Sequence, residues 1–130
     1  MEEKAVGLKK LRVYRLANDL WLNIQRWTKA GHWRGSSYLA DQINRASHSV
    51  PSNIAEGYSR GSNGDFIRFL NIAKGSATEL KHHLAGAKDL GLLEGEDAEA
   101  FLDQSDAVER MLSKLIKYRK ELEKKKPKKK

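Results

Sequence analysis

The 130-residue sequence has no cysteine and only two prolines, and each scarcity narrows the possible structures. Without cysteine, disulfides and thiolate metal sites are excluded. Pro127 lies in a C-terminal lysine run, so Pro51 is the only proline that can interrupt the body of the fold. No stretch approaches the roughly 20 apolar residues of a membrane span, and the charged N-terminus lacks the apolar run of a secretory signal. We expect one cytoplasmic domain.

Motifs of catalysis and of cofactor binding are also missing. The GSNGD segment at 61–65 lacks the lysine and the spacing of a phosphate-binding Walker loop, and the chain has no HExxH pair. Glu79 and His83 share a helical face at a spacing of four, but two ligands are too few for a metal site. We expect no cofactor, no metal and no catalytic residue.

Four polar residues near the apolar positions of the second and third helices need partners if those helices pack together. Glu56 and Glu79 would suit acid–base chemistry if the fold paired them. A structural role is favoured, because a carboxylate near Arg45 or Arg60, or one that caps Asn53, would set the angle between the two helices. We therefore predict a partly buried structural network of Arg45, Asn53, Glu56 and Glu79.

Apolar residues recur at steps of three and four, which predicts amphipathic helices and no strand. Short glycine- and serine-bearing segments separate them. The pattern predicts an all-α, antiparallel up-and-down four-helix bundle over 1–123, followed by a disordered basic tail over 124–130. The expected helices run from Leu8 or Leu11 to Lys29, from Ser36 or Ser37 to Gly57, from Asp65 to Leu90, and from Glu96 to Glu123.

Residues that disfavour helix occur inside the second and third predicted helices. The apolar period continues across Pro51 to Ile54, which predicts a kink at Pro51, with a full break at Val50 as the alternative. Gly75 and Gly86 each cost about 1 kcal/mol of helix stability relative to alanine. We predict that close approach of another helix compensates for them.

The apolar residues of the first helix cover an arc of roughly 160°, whereas a helix that packs against one neighbouring surface needs an apolar arc of about 100°. Two interpretations follow. The helix lies in a groove between two helices of its own chain, or part of the arc, such as Trp21 or Trp27, faces another subunit, where aromatic residues are favoured.

The net charge of +8 is unevenly distributed along the chain. Residues 110–130 hold 11 basic and 2 acidic residues, which leaves 14 basic and 15 acidic residues in 1–109. All seven charged residues of 94–109 are acidic. We therefore expect any basic face of the body to come from the first three helices, with the tail acting separately.

Lys74, Lys81 and Lys88 are spaced by seven, which predicts one basic stripe along the third helix. The stripe is either an ordinary solvated face or a phosphate-binding surface. The lysine tail is a solubilising end, a nuclear-localisation run or a phosphate-binding arm, and the last is favoured. The predicted nucleic-acid-binding residues are Arg12, Arg15, Arg60, Arg68, Lys74, Lys81, Lys88, Lys124, Lys125, Lys126, Lys128, Lys129 and Lys130.

The segment SVPSNIAEGYSRGSNGDFIRFLNIAKGSATEL resembles the signature of the four-helix-bundle family encoded in intervening sequences of bacterial 23S ribosomal RNA genes. The flanking helices are similar only in pattern. The residues that carry the resemblance are Arg45 and Ala46, Ser49, Pro51 to Gly57, Arg60, Phe66, Phe69, Leu70, Ala73, Ser76, Glu79 and Leu80.

The resemblance implies a bundle shared with accessory proteins of diversity-generating retroelements, which assemble as pentamers and bind a reverse transcriptase and nucleic acid. We therefore expect a non-enzymatic homo-oligomer, pentameric by this resemblance, that binds RNA or DNA by charge and shape. A retroelement accessory role is one specific form of this hypothesis. The alternative is a protein–protein interaction scaffold that does not bind nucleic acid directly.

Overall fold

Every regular element that the computed structural model describes is a helix; the model describes residues 7–33 and 36–127. A helical turn at residues 7–10 precedes the first long helix. No helix in these ranges is long and apolar enough to cross a membrane. The four long helices are α1 (Arg12–Lys29), α2 (Ser37–Ser59), α3 (Asn63–Asp89) and α4 (Gly95–Lys124).

The four helices form a helical bundle in which each one packs against the next, and α4 also packs against α1. One half of the core surrounds Ile54, Leu70 and Leu112. The other half surrounds Ile24 and Leu84. These five side chains are fully buried, and truncating one such residue to alanine typically costs about 2–5 kcal/mol. The apolar period of the sequence therefore builds an interior of two buried clusters.

The helix boundaries agree with the expected ones at several ends. The first helix ends at Lys29 as predicted. Ser62 caps α3, because its hydroxyl accepts a hydrogen bond from the Asp65 backbone N–H at 3.1 Å. Gly91 follows α3 with φ of 73°, the left-handed conformation that glycine adopts without steric cost.

The end of α2 differs from the prediction, because Gly57 lies inside the helix and not at its end. Gly57 is buried, and a Cβ placed there would lie 2.6 Å from the Phe69 Cβ and 3.4 Å from the Phe66 Cα. The missing side chain therefore allows the α2 backbone to approach α3 closely. The apolar periodicity of the sequence does not distinguish a glycine that allows close helix packing from a glycine that ends a helix.

Gly75 and Gly86 do not have the close helix contact that was predicted for them. A Cβ at either position would meet no atom within 4 Å. Within this chain, the close approach is at Gly57 instead, and the lower helix propensity at Gly75 and Gly86 has no compensating contact.

Pro51 lies within α2, which continues without a break from Ser37 to Ser59. The alternative of a full break at Val50 is therefore wrong. Pro51 and Val50 are both buried, so the proline contributes to packing. A change in helix direction at this position stays a prediction.

Two tryptophans of α1 contact residues of their own chain. The Trp27 ring stacks on His32 and meets Phe101 of α4 edge to face, at centroid distances of 4.2 and 6.0 Å. Trp21 lies beside His48 of α2, with ring centroids 4.6 Å apart. Trp27 therefore belongs to the packing between α1, its following turn and α4.

We predict that Gly57→Ala lowers the free energy of unfolding by about 1–3 kcal/mol, because the added methyl group would overlap Phe69. Gly86→Ala is the matched control in a neighbouring helix. It should raise stability by about 0.5–1 kcal/mol, since alanine has the higher helix propensity and open space surrounds this position. Urea denaturation followed by circular dichroism measures both changes. Equal effects of the two substitutions would contradict the packing role of Gly57.

Candidate nucleic-acid interface

The predicted lysine stripe of α3 faces the acidic first half of α4. The Lys81 ammonium lies 3.2 Å from Glu109 Oε1 and 3.4 Å from Asp106 Oδ1. Lys88 pairs with Glu99 at 3.0 Å. The hydrogen bond from Lys81 to Glu109 raises the pKa of Lys81 above its ordinary value. Two of the three stripe lysines are therefore neutralised by α4, and a phosphate would have to displace carboxylates to reach them.

A hydroxyl strengthens the same contact between α3 and α4. Thr78 Oγ1 lies 2.6 Å from Glu109 Oε2 and 3.1 Å from the Lys74 carbonyl oxygen. A hydroxyl donates one proton, and the shorter distance assigns it to the carboxylate. This hydrogen bond, followed by those of Lys81, lowers the pKa of Glu109 below its ordinary value.

The two predicted arginines near the α2–α3 turn also have carboxylate partners. Arg60, at the C-terminal end of α2, lies 2.8 Å from Glu56, and Arg68 lies 3.5 Å from Asp65 within α3. Both guanidinium groups lie over the Phe69 ring, at 5.1 and 4.5 Å from its centroid. Lys74 differs from them, since no ion pair involves it in the part of the chain described.

The structure does not bring the four predicted network residues together. Arg45, Glu56 and Glu79 are exposed, and each pairs within its own helix because i,i+4 neighbours are closer than the facing helix. Arg45 lies 3.0 Å from Asp41, and Glu79 lies 3.3 Å from His83. The acid–base pairing of Glu56 with Glu79 has no geometric support here. Among the described residues no group of three metal-ligating side chains occurs.

Small polar side chains make the contact between α2 and α3 that had been expected of charged ones. The hydroxyls of Ser49 and Ser76 share a hydrogen bond of 2.8 Å across the two helices. The Asn53 side-chain amide donates to the Ser49 carbonyl and hydroxyl oxygens at 2.8 and 3.0 Å. Asn53 therefore bonds within its own helix to Ser49, and Ser49 bonds across to Ser76. Sequence reasoning did not include either serine in the network.

The start of α3 is joined to the end of α4 by another polar contact. The Asn63 side-chain amide donates to the Arg119 carbonyl oxygen and to Glu123 Oε2, at 2.9 and 2.8 Å. The Arg119 guanidinium lies 4.8 Å from the Phe66 ring centroid. Its Nε is buried without a hydrogen-bond partner. The end of α4 is therefore attached to the bundle and is not part of a free tail.

A different basic surface lies where the start of α1 meets the second half of α4. An open apolar cavity of about 320 Å³ separates the two helices there. Arg12 and Lys114 lie on its two sides. We call this cavity the α1–α4 groove; its lining residues are Leu11, Arg12, Val13, Met111, Lys114, Leu115 and Tyr118.

More basic residues flank the α1–α4 groove. Lys9 and Lys10 lie in the turn before α1, and the Arg15 side chain donates to the Lys9 carbonyl oxygen at 2.8 Å, which ties that turn to the helix. Lys117 follows Lys114 at a spacing of three on the exposed side of α4. In the residues described, no carboxylate lies within ion-pair distance of these five or of Arg12. Within the described ranges, Arg12 and Lys114 of the groove therefore have no carboxylate partner.

Sequence reasoning identified Arg12 and Arg15 but missed Lys114 and Lys117. Its charge count set residues 110–130 apart from the body, although the fourth helix, predicted to Glu123 and observed to Lys124, includes both lysines. The apolar period from Val108 to Leu122 was the signal that could have assigned these lysines to the bundle surface. The expectation that only the first three helices supply a basic face is therefore wrong.

The basic tail is described only in part. Lys124 ends α4 and lies 3.8 Å from Glu121, and Lys126 lies 3.7 Å from Glu123. Lys125 is exposed. The predicted binding residues Lys128, Lys129 and Lys130 lie outside the described residues.

Comparison with known proteins identifies the family. The family pattern of the 23S rRNA-intervening sequence proteins matches residues 9–114. The chain belongs to this family. The match covers most of the bundle and ends at Lys114, so Leu115 and Tyr118 of the α1–α4 groove lie beyond the matched region.

A crystal structure of a protein of unknown function from Bacteroides thetaiotaomicron, assigned to the S23 ribosomal protein family, has the same fold. Its TM-score is 0.75 at 25% sequence identity, and the alignment covers 81% of this chain and 98% of that one. No match was found among curated proteins. Membership of the intervening sequence family is thus shown, and the named relative assigns no activity.

We predict that Thr78→Val lowers the free energy of unfolding by about 1 kcal/mol at neutral pH, because Glu109 loses its hydroxyl donor. A carboxyl group whose folded pKa is lowered stabilises the fold above its unfolded pKa, and this stabilisation disappears as the pH falls through the folded pKa. The deficit of the variant should therefore shrink below about pH 4. Urea denaturation across that range measures it.

Thr78→Ser is the control for this prediction, since it keeps the hydroxyl and should retain most of the pH dependence. A deficit of Thr78→Val that is the same at neutral and acidic pH would assign the effect to packing and not to Glu109.

Proposed function

We propose that this protein is a non-enzymatic scaffold that binds nucleic acid through its phosphates, at the basic surface around the α1–α4 groove. The observation that carries the proposal is the set of unpaired cations from two helices, with Arg12 and Lys114 on opposite sides of one cavity. Such contacts give affinity that depends on salt and carry little sequence information. The paired lysines of α3 have a structural role instead.

The relative direction of the helices determines which charges meet. Trp27 at the end of α1 contacts Phe101 near the start of α4, while Leu11 before α1 shares the groove with Tyr118 near the end of α4. We infer that α1 and α4 are antiparallel. Extending this antiparallel arrangement to the other neighbouring helix pairs gives an up-and-down bundle.

The C-terminal lysines extend the proposed surface. Lys124 lies on α4 seven residues after Lys117 and therefore on the same side of the helix. Lys125, Lys126 and Lys128 to Lys130 would add phosphate contacts at variable positions. Such an arm increases the affinity and the distance over which a polyanion is captured without adding sequence specificity.

Self-association is a further part of the proposal, with a pentamer as the assembly that the family resemblance implies. On the outer side of α3, Ile72 is 44% exposed, and Gly75 has open space around it. A second copy packed there would bury apolar area and give Gly75 the close neighbour that it lacks within the chain. Repetition of one basic surface in a ring would strengthen binding to a long polyanion.

Structured RNA is the nucleic acid to test first, because the family name refers to 23S rRNA and the solved relative is assigned to a ribosomal protein family. A narrower form of the proposal places the protein beside a reverse transcriptase as a retroelement accessory protein. That form rests on the resemblance alone.

A scaffold that binds only protein is the second candidate. The ion pairs of Lys81 and Lys88 with α4 favour it, since they remove the α3 stripe as a phosphate site. Under this function the groove lysines would be ordinary solvated residues.

We predict that the double variant Arg12→Gln with Lys114→Gln weakens binding to a structured RNA and reduces the slope of log K against log salt by about two, one unit for each phosphate that the variant no longer neutralises. Lys74→Gln is the matched control, because it removes an unpaired lysine from α3. Fluorescence anisotropy over a salt series measures the slopes. An unchanged slope in the double variant, or an equal reduction in the control, would contradict the assigned surface.

We predict that the full chain has a mass in solution of about 74 kDa, which is five times the 14.8 kDa of one chain. Ile72→Glu should reduce this mass, because it places a charge in the proposed contact. Light scattering coupled to size-exclusion chromatography measures both. A single-chain mass for the unsubstituted protein would overturn self-association while leaving RNA binding to be judged by its own experiment.

A further inference from the structure

The α1–α4 groove has an apolar floor and an exposed aromatic side chain, which simple phosphate binding does not need. Met111, Leu115 and Tyr118 follow one another at spacings of four and three and therefore share one side of α4. Leu11 and Val13 line the opposite side. Tyr118 is 59% exposed although it borders this apolar cavity, so much of its side chain is accessible to a ligand.

The charges around this cavity suit an anionic ligand. Arg12 and Lys114 line it directly. Two acidic residues of α4 lie near these positions in the sequence: Glu109 is held by Lys81 and Thr78 of α3, and Glu121 lies 3.8 Å from Lys124 and is thus partly neutralised. A second copy placed with the same surface against this one would bring its own unpaired cations near these. Charge complementarity therefore favours a polyanion that also offers an apolar, flat group.

An unpaired nucleotide meets both requirements. In a duplex the bases are stacked inside and cannot lie on a protein side chain, whereas single-stranded segments can place a base on an aromatic ring. The groove volume of about 320 Å³ lies in the range of small-molecule sites.

We propose that the α1–α4 groove binds one unpaired base of a single-stranded nucleic acid, stacked on Tyr118, while Arg12 and Lys114 contact the adjoining phosphates. The protein then prefers single strands, loops and ends over uninterrupted duplex. This inference rests on the proposed nucleic-acid binding and adds the class of ligand that the site selects. Since the family match ends at Lys114, the stacking residue lies outside the matched pattern.

The test compares two probes of equal length, an oligouridine of about 12 nucleotides and an RNA duplex, against the full chain and three variants. Tyr118→Ala should weaken oligouridine binding by about 5- to 100-fold, the usual effect of losing one base–aromatic stack. It should change duplex binding little. Tyr118→Phe should restore the affinity, because it keeps the ring and removes only the hydroxyl.

Tyr38→Ala is the matched control, since Tyr38 is an exposed tyrosine of α2, at 76% exposure, and does not line the groove. It should leave both probes unaffected. A single strand that carries 2-aminopurine provides an independent readout, because stacking on Tyr118 quenches its fluorescence. The quenching should be absent in Tyr118→Ala and present in Tyr118→Phe. Circular dichroism melts check that each variant is folded.

The test distinguishes a failure of the proposed nucleic-acid binding from a failure of base stacking alone. If neither probe binds at low salt, the proposed nucleic-acid function fails, and the inference fails with it. If both probes bind equally and Tyr118→Ala behaves as Tyr38→Ala does, phosphate binding is retained and base stacking is overturned. Two further results would show that the groove accepts protein, and each overturns the inference. One is a lower oligomer mass in Tyr118→Ala. The other is a polyglutamate peptide that binds as tightly as oligouridine and loses affinity in Tyr118→Ala.

Discussion

The alignment of α4 along α3 determines which charges this protein presents. Lys88 pairs with Glu99, Lys81 with Glu109, and Asn63 with the end of α4. Such partly exposed ion pairs contribute little free energy individually, and the buried core supplies most of the stability. These pairs matter because they set the register of α4 along α3, that is, which residues of the two helices lie opposite each other. Because the acidic half of α4 pairs with α3, Lys114 in its basic half lies beside Arg12 with no ion pair among the described residues.

The close contact of α2 with α3 is a second constraint, and it depends on the absence of a side chain. Gly57 lets the two backbones approach where Phe66 and Phe69 pack. Farther along the same contact, Ser49 and Ser76 bridge the helices with small hydroxyls. Small residues along this line allow a separation that larger side chains would prevent.

The two halves of the molecule therefore have different roles. The contact of α2 with α3 is closely packed and locally satisfied, with arginines such as Arg60 held by carboxylates of their own helix. The contact of α1 with α4 is looser and contains the groove. A looser contact leaves space between the helices, and Arg12 and Lys114 place positive charge at its rim. The proposed site follows from the part of the bundle that packs least completely.

The sequence by itself determined the all-helical class, most helix boundaries and the family, because apolar periodicity and the Ser62 and Gly91 signals are local. It could not separate Gly57 from Gly75, since glycine can either allow close helix packing or simply lower the helix propensity at an exposed position. It also could not tell the paired Lys81 from the unpaired Lys114. Pairing depends on which residue of another helix lies opposite. Only the tertiary structure decided that, because charges far apart in the chain neutralise one another only after the helices have packed.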